Sequence, residues 1–226
     1  LLVFVLSLIG RKLLLIKPLK FGRIHGSERT GKPGAGKGVL EPYKHLGDPL
    51  ATNIPAYKND GTDAAATFAQ RLTRAVSAYD PAINAVQLNL VTSHDPPRLR
   101  TICADDLDGV RMTLLVLLTI GGAPCIYYGD EVGMQGEHDP ACRGAFPDPS
   151  GWDRDLRDFV RGAIALRHRH AALRRGAFAF VAAHGTAAAY RRSDAHETFL
   201  VCLNAGDEPV DLPLALGEDE GRRFRP

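Results

Sequence analysis

One stretch, residues 86–98, constrains what this chain can fold into more than any other part of the sequence. The apolar run Val86–Val91 ends abruptly in small and polar residues, which is typical of a buried strand that delivers a loop. Within five positions the loop carries His94, Asp95 and Arg98, and two consecutive prolines stiffen its path. The sequence therefore predicts a strand followed by a rigid polar loop.

This loop has a functional and a structural interpretation. Parallel α/β folds build active sites from loops at the carboxyl ends of strands, and a carboxylate beside an imidazole and a guanidinium suits such a site. In the structural interpretation, Asp95 caps a turn and Arg98 pairs with it. Residues 86–98 alone favour neither interpretation.

Hydrophobic periodicity predicts alternating helices and strands around this stretch. Apolar residues at helical spacing indicate three helices, over residues 63–79, 109–120 and 152–173. A second apolar run, residues 123–128, indicates another strand. The order helix–strand–helix–strand–helix is that of a piece of a parallel α/β sheet.

Antiparallel β structure is predicted after Gly176. Turn residues separate short alternating runs at residues 177–182, 187–191, 198–203 and 210–214. We therefore expect three regions, which are the α/β part over residues 62–175, a separate β module over residues 176–226, and an unassigned region over residues 1–61.

The unassigned region offers one motif of its own. Residues 1–9 are strongly apolar but too short to span a bilayer, so a buried strand or helix, or a piece of sequence out of its natural context, is expected there. Residues 31–38 match the spacing of a phosphate-binding loop. However, Gly38 stands where a Ser or Thr would hold magnesium, and Pro33 removes a backbone donor. A flexible basic loop is therefore favoured over nucleotide binding.

Charge and cysteine content narrow the class of function. The net charge of +2 predicts no strong attraction to nucleic acid or to an anionic membrane. The four cysteines form no Cys-x-x-Cys pair and are expected to be buried free thiols, which favours a reducing, cytoplasmic location. Because the chain starts with leucine and stops inside a predicted β region, we expect a fragment of a longer protein.

A second polar loop follows the strand at residues 123–128 and adds two further motifs. It contains Tyr-Tyr-Gly-Asp-Glu at 127–131 and Asp-Pro-Ala-Cys-Arg at 139–143. Together with Asn-Leu-Val-Thr-Ser-His-Asp at 89–95, these motifs resemble the α-amylase superfamily of glycoside hydrolases. The Asp-Pro-Ala-Cys-Arg stretch is most similar to the neopullulanase, cyclomaltodextrinase and maltogenic amylase branch. The resemblance covers residues 62–205.

The resemblance implies the C-terminal portion of a (β/α)8 TIM barrel followed by an antiparallel β-sandwich domain. Residues 86–91 would be the seventh barrel strand and residues 125–128 the eighth. In that family an Asp at strand four is the nucleophile, a Glu at strand five is the acid/base, and an Asp at strand seven stabilises the transition state. Asp95 matches this third carboxylate, which an oxocarbenium-like transition state requires nearby.

The resemblance also implies substrate-binding roles. His94 matches a histidine that hydrogen-bonds the sugar in the cleavage subsite. Asp139 and Arg143 match a pair that holds the next glucose unit outward, and a salt bridge that ties down the loop is the structural alternative for this pair. Residues 127–131 are interpreted mainly as structural.

Two catalytic motifs of the family are absent from the chain. The stretch Phe21–His25 resembles the nucleophile motif without its carboxylate, and Glu28 is the nearest match to the acid/base. We therefore expect a fragment of a retaining glycoside hydrolase that acts on the α-1,4 or α-1,6 bonds of α-glucans or maltodextrins and is inactive as an isolated chain.

Two alternative functions stay open. One is a non-catalytic carbohydrate-binding remnant that uses His94, Asp139 and Arg143, and the less favoured one is a nucleotide-binding protein built on residues 31–38. The expected partner is an α-glucan oligosaccharide, and homo-oligomer formation is left open. No cofactor or metal is expected, because calcium is common in the superfamily but no carboxylate cluster here requires it.

Overall fold

The structure of the protein is a computed structural model in which residues 2–9, 12–15, 64–206 and 209–214 are described. Three features of the sequence lie outside these residues. They are the phosphate-loop-like stretch 31–38, the stretch Phe21–His25 and Glu28.

Six helices lie between residues 64 and 175. Two of them, α2 and α3, are single turns, and the three long helices carry most of the apolar residues of this region. The helices are α1 (Ala64–Val76), α2 (Pro81–Asn84), α3 (Leu99–Ile102), α4 (Leu107–Thr119), α5 (Arg154–Arg169) and α6 (Ala171–Arg175). The predicted helix over 152–173 is therefore two helices, because His170 adopts an extended conformation between α5 and α6.

The predicted apolar helix after residue 108 is confirmed as α4, the most deeply buried helix. Asp106 caps its N-terminus by accepting a hydrogen bond from the Asp108 N–H at 3.0 Å. Residues 113–120 are all buried. A helix that is apolar on every face has to be covered on every face, and here α5 and the C-terminal sheet contribute to that cover.

Two short parallel strands, β3 (Leu88–Leu90) and β4 (Ala123–Cys125), pair in the α/β part. The prediction that the first strand is buried is wrong, since Leu88 is exposed and only Asn89 of β3 is buried. The reason is that β3 and β4 form a sheet of two strands among the described residues, so no further strands cover them. Leu88 pairs with Ala123, and Leu90 pairs with Cys125. Both strands are shorter than the apolar runs that predicted them. The first begins late because Val86 belongs to the turn after α2, where its N–H donates to the Ile83 carbonyl at 3.1 Å. The second ends at Cys125, opposite the last residue of its partner strand.

Gly122 allows the chain to pass from α4 into β4 beside β3. Its φ of +86° is in the left-handed region, and a Cβ at this position would lie 2.6 Å from the Gln87 carbonyl oxygen. Asn89 fixes the same corner, because its Nδ2 donates to the Gly121 carbonyl at 2.7 Å.

Arg167 of α5 holds the end of α4 in place. This buried guanidinium donates to four backbone carbonyls, at 2.6–2.9 Å. They belong to Leu118, Ile120, Gly122 and Leu173. The arginine thereby satisfies carbonyls at the C-terminus of α4 that have no intrahelical partner.

A five-stranded sheet follows, in the order β2-β1-β7-β6-β5. Its strands are β1 (Leu2–Ile9), β2 (Lys12–Leu15), β5 (Ala177–His184), β6 (Ala187–Ser193) and β7 (Glu197–Asn204). β5, β6 and β7 pair antiparallel, as predicted, whereas β1 lies parallel to β7. Of the structures expected for residues 1–9, a strand is observed over Leu2–Ile9.

The fourth predicted run, residues 210–214, is not a strand. Only Val210 forms an isolated bridge, and residues 211–214 have no regular structure. The described residues of this region form one sheet, so the second layer of a β-sandwich stays a prediction, as do the three domain boundaries.

All four cysteines are free, as predicted, although they are not all buried. Cys103, Cys142 and Cys202 are buried and Cys125, at the end of β4, is exposed. Burial raises the pKa of the Cys103 and Cys202 thiols to about 12.

Candidate active site

The loop that leaves β3 presents two polar side chains to solvent. Thr92 is buried at its start, and the chain then turns so that His94 and Asp95 are exposed, with about two thirds of each side chain open. The Asp95 N–H donates to Ser93 Oγ at 3.4 Å, and His94 Nε2 lies 3.3 Å from Asp95 Oδ1. The predicted imidazole and carboxylate are therefore adjacent at the carboxyl end of β3.

Arg98, in contrast, does not pair with Asp95, and the structural interpretation of this loop is wrong on that point. Arg98 is fully buried, its Nη1 donates to the Tyr128 carbonyl, and its Nη1 lies 4.0 Å from Asp130 Oδ1. Its guanidinium also lies over the rings of Tyr127 and Tyr128, 4.3 and 4.2 Å from their centroids. Arg98 therefore turns inward to these rings, this carbonyl and this carboxylate and away from the exposed Asp95, although its Nε and Nη2 are buried without a hydrogen-bond partner.

Asp130 is the buried partner on the loop after β4. It accepts hydrogen bonds from Thr92 Oγ1 and from the Leu99 backbone N–H. Burial raises the pKa of this carboxyl from 3.8 to about 6, although Thr92, Arg98 and Leu99 each act to lower it. Thr92, Arg98 and Asp130 therefore form a buried cluster that joins the end of β3, its loop and the loop after β4. We call these three residues the buried cluster.

The long loop after β4 returns to the exposed residues. The loop contains three short 3₁₀ turns, at Asp130–Val132, Ala141–Arg143 and Pro149–Gly151. Arg143 Nε donates to the His94 carbonyl at 3.0 Å and lies 3.1 Å from Asp139 Oδ1. Arg143 Nη2 lies 3.5 Å from Asp95 Oδ1. The buried Cys142 Sγ donates to the same His94 carbonyl at 3.1 Å.

The four residues predicted as a site, His94, Asp95, Asp139 and Arg143, thus form one cluster. We call this cluster the rim. Its charged side chains are about half to two thirds exposed. It combines two carboxylates, an imidazole and a guanidinium, which together can accept and donate hydrogen bonds to several hydroxyl groups. The Asp139–Arg143 salt bridge named as the structural alternative is also formed, so Arg143 ties the two loops together as well.

Backbone hydrogen bonds join the same loops away from the rim. The Arg98 N–H donates to the Gly136 carbonyl at 2.9 Å, and the Gly136 N–H donates to Thr101 Oγ1 at 2.9 Å. Arg100 Nη1 donates to the Gly133 carbonyl at 3.2 Å, and Arg100 Nε lies 2.6 Å from Asp105 Oδ1. Sequence reasoning missed Thr92 as a supporting residue, and its only signal was its position directly after the first predicted strand. Asp130 belongs to residues 127–131, which were interpreted as mainly structural, but its pairing with the first loop was not predicted.

No group of three or more His, Cys, Asp or Glu side chains in the described part of the chain could hold a metal ion. Among the described helices, none is both long enough and apolar enough to cross a membrane.

A comparison with known protein families gives a match over more than half of the chain. The family described as Alpha amylase, catalytic domain, matches residues 50–178. The chain is 40% identical over 156 residues to a cyclomaltodextrinase of Geobacillus thermopakistaniensis strain MAS1, covering 68% of this chain and 26% of that protein. It is 33% identical over 177 residues to a maltogenic alpha-amylase of Bacillus acidopullulyticus, covering 76% of this chain and 30% of that one.

Solved structures give the same result. A debranching enzyme from Nostoc punctiforme matches with a TM-score of 0.61 and 38% identity, over 63% of this chain and 29% of that one. The chain therefore spans less than a third of the length of each of these three relatives. A neopullulanase 2 of Thermoactinomyces vulgaris is 40% identical over 114 residues, which cover 48% of this chain and 19% of that one. These matches confirm the resemblance found in the sequence motifs. The chain belongs to the α-amylase family of glycoside hydrolases, in the branch that contains cyclomaltodextrinases, maltogenic amylases and neopullulanases.

Proposed function

We propose that this chain supplies the strand-seven and strand-eight loops of a retaining glycoside hydrolase that acts on α-glucans or maltodextrins. The observation that carries the proposal is the rim, in which His94, Asp95, Asp139 and Arg143 meet although two of them lie more than forty residues from the other two. The names of the cyclomaltodextrinase and maltogenic amylase relatives support this class of substrate.

In this proposal Asp95 stabilises the transition state. Cleavage of a glycosidic bond passes through an oxocarbenium-like species with positive charge on the sugar ring, which a nearby carboxylate stabilises. The Asp95 side chain is 63% exposed, and His94 Nε2 and Arg143 Nη2 lie 3.3 and 3.5 Å from its Oδ1. His94 would donate a hydrogen bond to a hydroxyl of the same sugar.

Asp139 and Arg143 would bind the next glucose unit outward. Their ion pair at 3.1 Å is about half exposed, so both side chains offer polar atoms to a ligand while they hold each other in position. Hydrogen bonds from a sugar to ionised groups are stronger than bonds between neutral groups. The same pair then serves as a structural link and as a binding subsite.

The remaining parts of the proposal concern the whole enzyme. The β strands after residue 176 would belong to a β-sandwich domain, and residues 62–175 would be the last part of a (β/α)8 barrel. The chain alone would not hydrolyse glucan, because the motifs of the nucleophile and of the acid/base are missing from its sequence. The free cysteines favour the cytoplasm.

A chimeric barrel tests the proposal. Residues 62–205 would replace the matching segment of a cyclomaltodextrinase, and hydrolysis of cyclodextrin, pullulan and starch would be measured as release of reducing sugar. We expect activity from the chimera and none above blank from the 226-residue chain. Asp95→Asn in the chimera should lower kcat by about 10²–10³ while substrate still binds, because shape is kept and charge is lost.

Asp158→Asn is the matched control, because Asp158 is exposed and pairs only at the surface with Arg161. It should leave kcat and KM unchanged. A chimera carrying Asp95→Asn that keeps kcat within about tenfold and mainly binds more weakly would make Asp95 a subsite residue and not a catalytic one.

Binding of carbohydrate without cleavage is the second candidate, and the exposed rim together with the two missing motifs favours it for the isolated chain. Titration of the 226-residue chain with maltotriose, and separately with ATP, distinguishes sugar binding from nucleotide binding at residues 31–38.

A further inference from the structure

Exposed apolar side chains in the described part of the chain fall into two groups. Ile83, Val86 and Leu88 lie before or at the start of β3. Tyr128 and Phe146 lie in the loop that leaves the carboxyl end of β4, and they are 39% and 45% exposed. The second group shares its loop with Asp139 and Arg143, so its exposure is next to the rim.

Phe146 lies close to Arg143 along the chain. Only two residues separate them, and an extended chain of this length spans about 10–11 Å at most. The segment is also anchored, because the Tyr128 hydroxyl donates to the Gly144 carbonyl at 2.7 Å. Phe146 therefore lies within reach of a sugar chain whose preceding unit contacts Arg143.

The Phe146 ring is held in place by its neighbours. It meets the Trp152 ring edge to face, with centroids 5.8 Å apart at 77°. Trp152 is itself fixed, since its Nε1–H donates to the Pro147 carbonyl at 2.8 Å and the Arg157 guanidinium lies 5.1 Å from its ring centroid. A rigid aromatic ring that keeps nearly half of its surface in water is pre-organised for a ligand, because binding costs little side-chain entropy.

We propose that Phe146 is a stacking platform for a glucose unit beyond the one held by Asp139 and Arg143, and that it makes binding depend on oligosaccharide length. This inference rests on the proposed function. Pyranose rings present C–H groups on one face, and sugar sites combine such contacts with a few polar groups that set orientation. The rim supplies the polar groups and Phe146 supplies the apolar surface. The ligand is a linear α-glucan of three or more units.

Trp152 is the only tryptophan of the chain, and its contact with Phe146 makes its fluorescence a direct reporter of this subsite. The 226-residue chain would be titrated with maltose, maltotriose and maltotetraose, with calorimetry as a second measurement. We expect affinity to rise roughly fivefold to tenfold between maltose and the longer sugars, as one additional ring contact would give.

Phe146→Ala should remove this gain and leave maltose affinity within about twofold of the wild type. Phe146→Tyr should restore the gain. Ile83→Ala is the matched control, because it also removes an exposed apolar side chain but from α2, outside the rim and its loops, and it should keep the gain. Circular dichroism of each variant would check that the fold is retained.

The results separate the two proposals. If Phe146→Ala keeps the length dependence, or if the wild type binds all three sugars equally, the platform is wrong while the rim remains a sugar site. If Arg143→Ala weakens all lengths and Phe146→Ala only the longer ones, both proposals hold. If the wild type binds no maltooligosaccharide, the sugar site fails and the platform with it.

Discussion

Asp130→Asn should make the folded chain more stable at neutral pH, although it removes one member of a buried ion pair. Breaking such a pair ordinarily costs about 3–5 kcal/mol, because it leaves the other charge unpaired. Here the pair is incompletely satisfied, since Arg98 Nη1 is 4.0 Å from Asp130 Oδ1 and that oxygen accepts no hydrogen bond. Desolvation of the carboxylate outweighs the attraction of Arg98 and raises the pKa of Asp130 from 3.8 to about 6.

The direction of the pH dependence follows from this raised pKa. The folded chain binds the Asp130 proton more tightly than the unfolded chain does, so the stabilising contribution is complete below pH 3.8 and is lost as pH rises through about 6. Asparagine resembles the protonated carboxyl and cannot titrate. Between about pH 4 and about pH 7 the free energy of unfolding of the variant should therefore rise relative to that of the wild type by about 2–3 kcal/mol.

Urea denaturation at several pH values, followed by Trp152 fluorescence and circular dichroism, measures this difference. Asp158→Asn is the matched control, because it removes an exposed carboxylate and should give a nearly constant difference. A variant that is less stable than the wild type by the same amount at every pH would refute the reasoning. It would mean that Arg98 keeps Asp130 ionised throughout.

Three further changes test other contacts. In the chimeric barrel, Arg143→Ala should raise KM more than it lowers kcat, because its sugar is remote from the broken bond, and a larger fall in kcat would contradict this subsite role. Arg167→Met should lower the free energy of unfolding by about 3 kcal/mol or more, since it leaves the four carbonyls of Leu118, Ile120, Gly122 and Leu173 unsatisfied, with Arg161→Met at the surface as the control in the same urea titration. In the native chain a disulfide-exchange reagent should modify the exposed Cys125 first. Cys103 and Cys202 should react only on unfolding, because burial raises the pKa of each thiol to about 12. Fast reaction of more than one thiol would refute this order.

The elements that the sequence predicted best are those with a strong repeating pattern. Helices α1, α4 and α5 and strands β5, β6 and β7 each carry several turns or alternations, and their positions are close to the predicted ones. The short strands β3 and β4 were predicted too long, because an apolar run does not reveal where its neighbour ends. The apolar residues at 210–214 form no strand, which shows that a short alternating run is a weak signal without a partner.

The partner of Arg98 illustrates what a single sequence does not contain. Asp95 is three positions away along the chain, and Asp130 is more than thirty. Sequence proximity favoured Asp95, yet burial decided the pairing, because a buried guanidinium needs an equally buried set of acceptors and rings. The side chains of the rim were easier to predict, since they follow motifs of a known family and the family already brings those motifs together.

The rim and the buried cluster have different roles in the two loops. The ion pairs of the rim are exposed, and exposed pairs contribute about 0–1 kcal/mol each, so they cannot hold two long loops in register by themselves. The buried cluster can hold the loops in register, because Thr92, Arg98 and Asp130 are buried and link both loops to the strand ends. A side chain of the rim can therefore be changed at little cost to the fold, whereas Thr92, Arg98 and Asp130 connect both loops that carry the rim. The raised pKa of Asp130 agrees with these different roles. The buried cluster contains a carboxylate that lowers stability at neutral pH, and this carboxylate lies where the two loops meet.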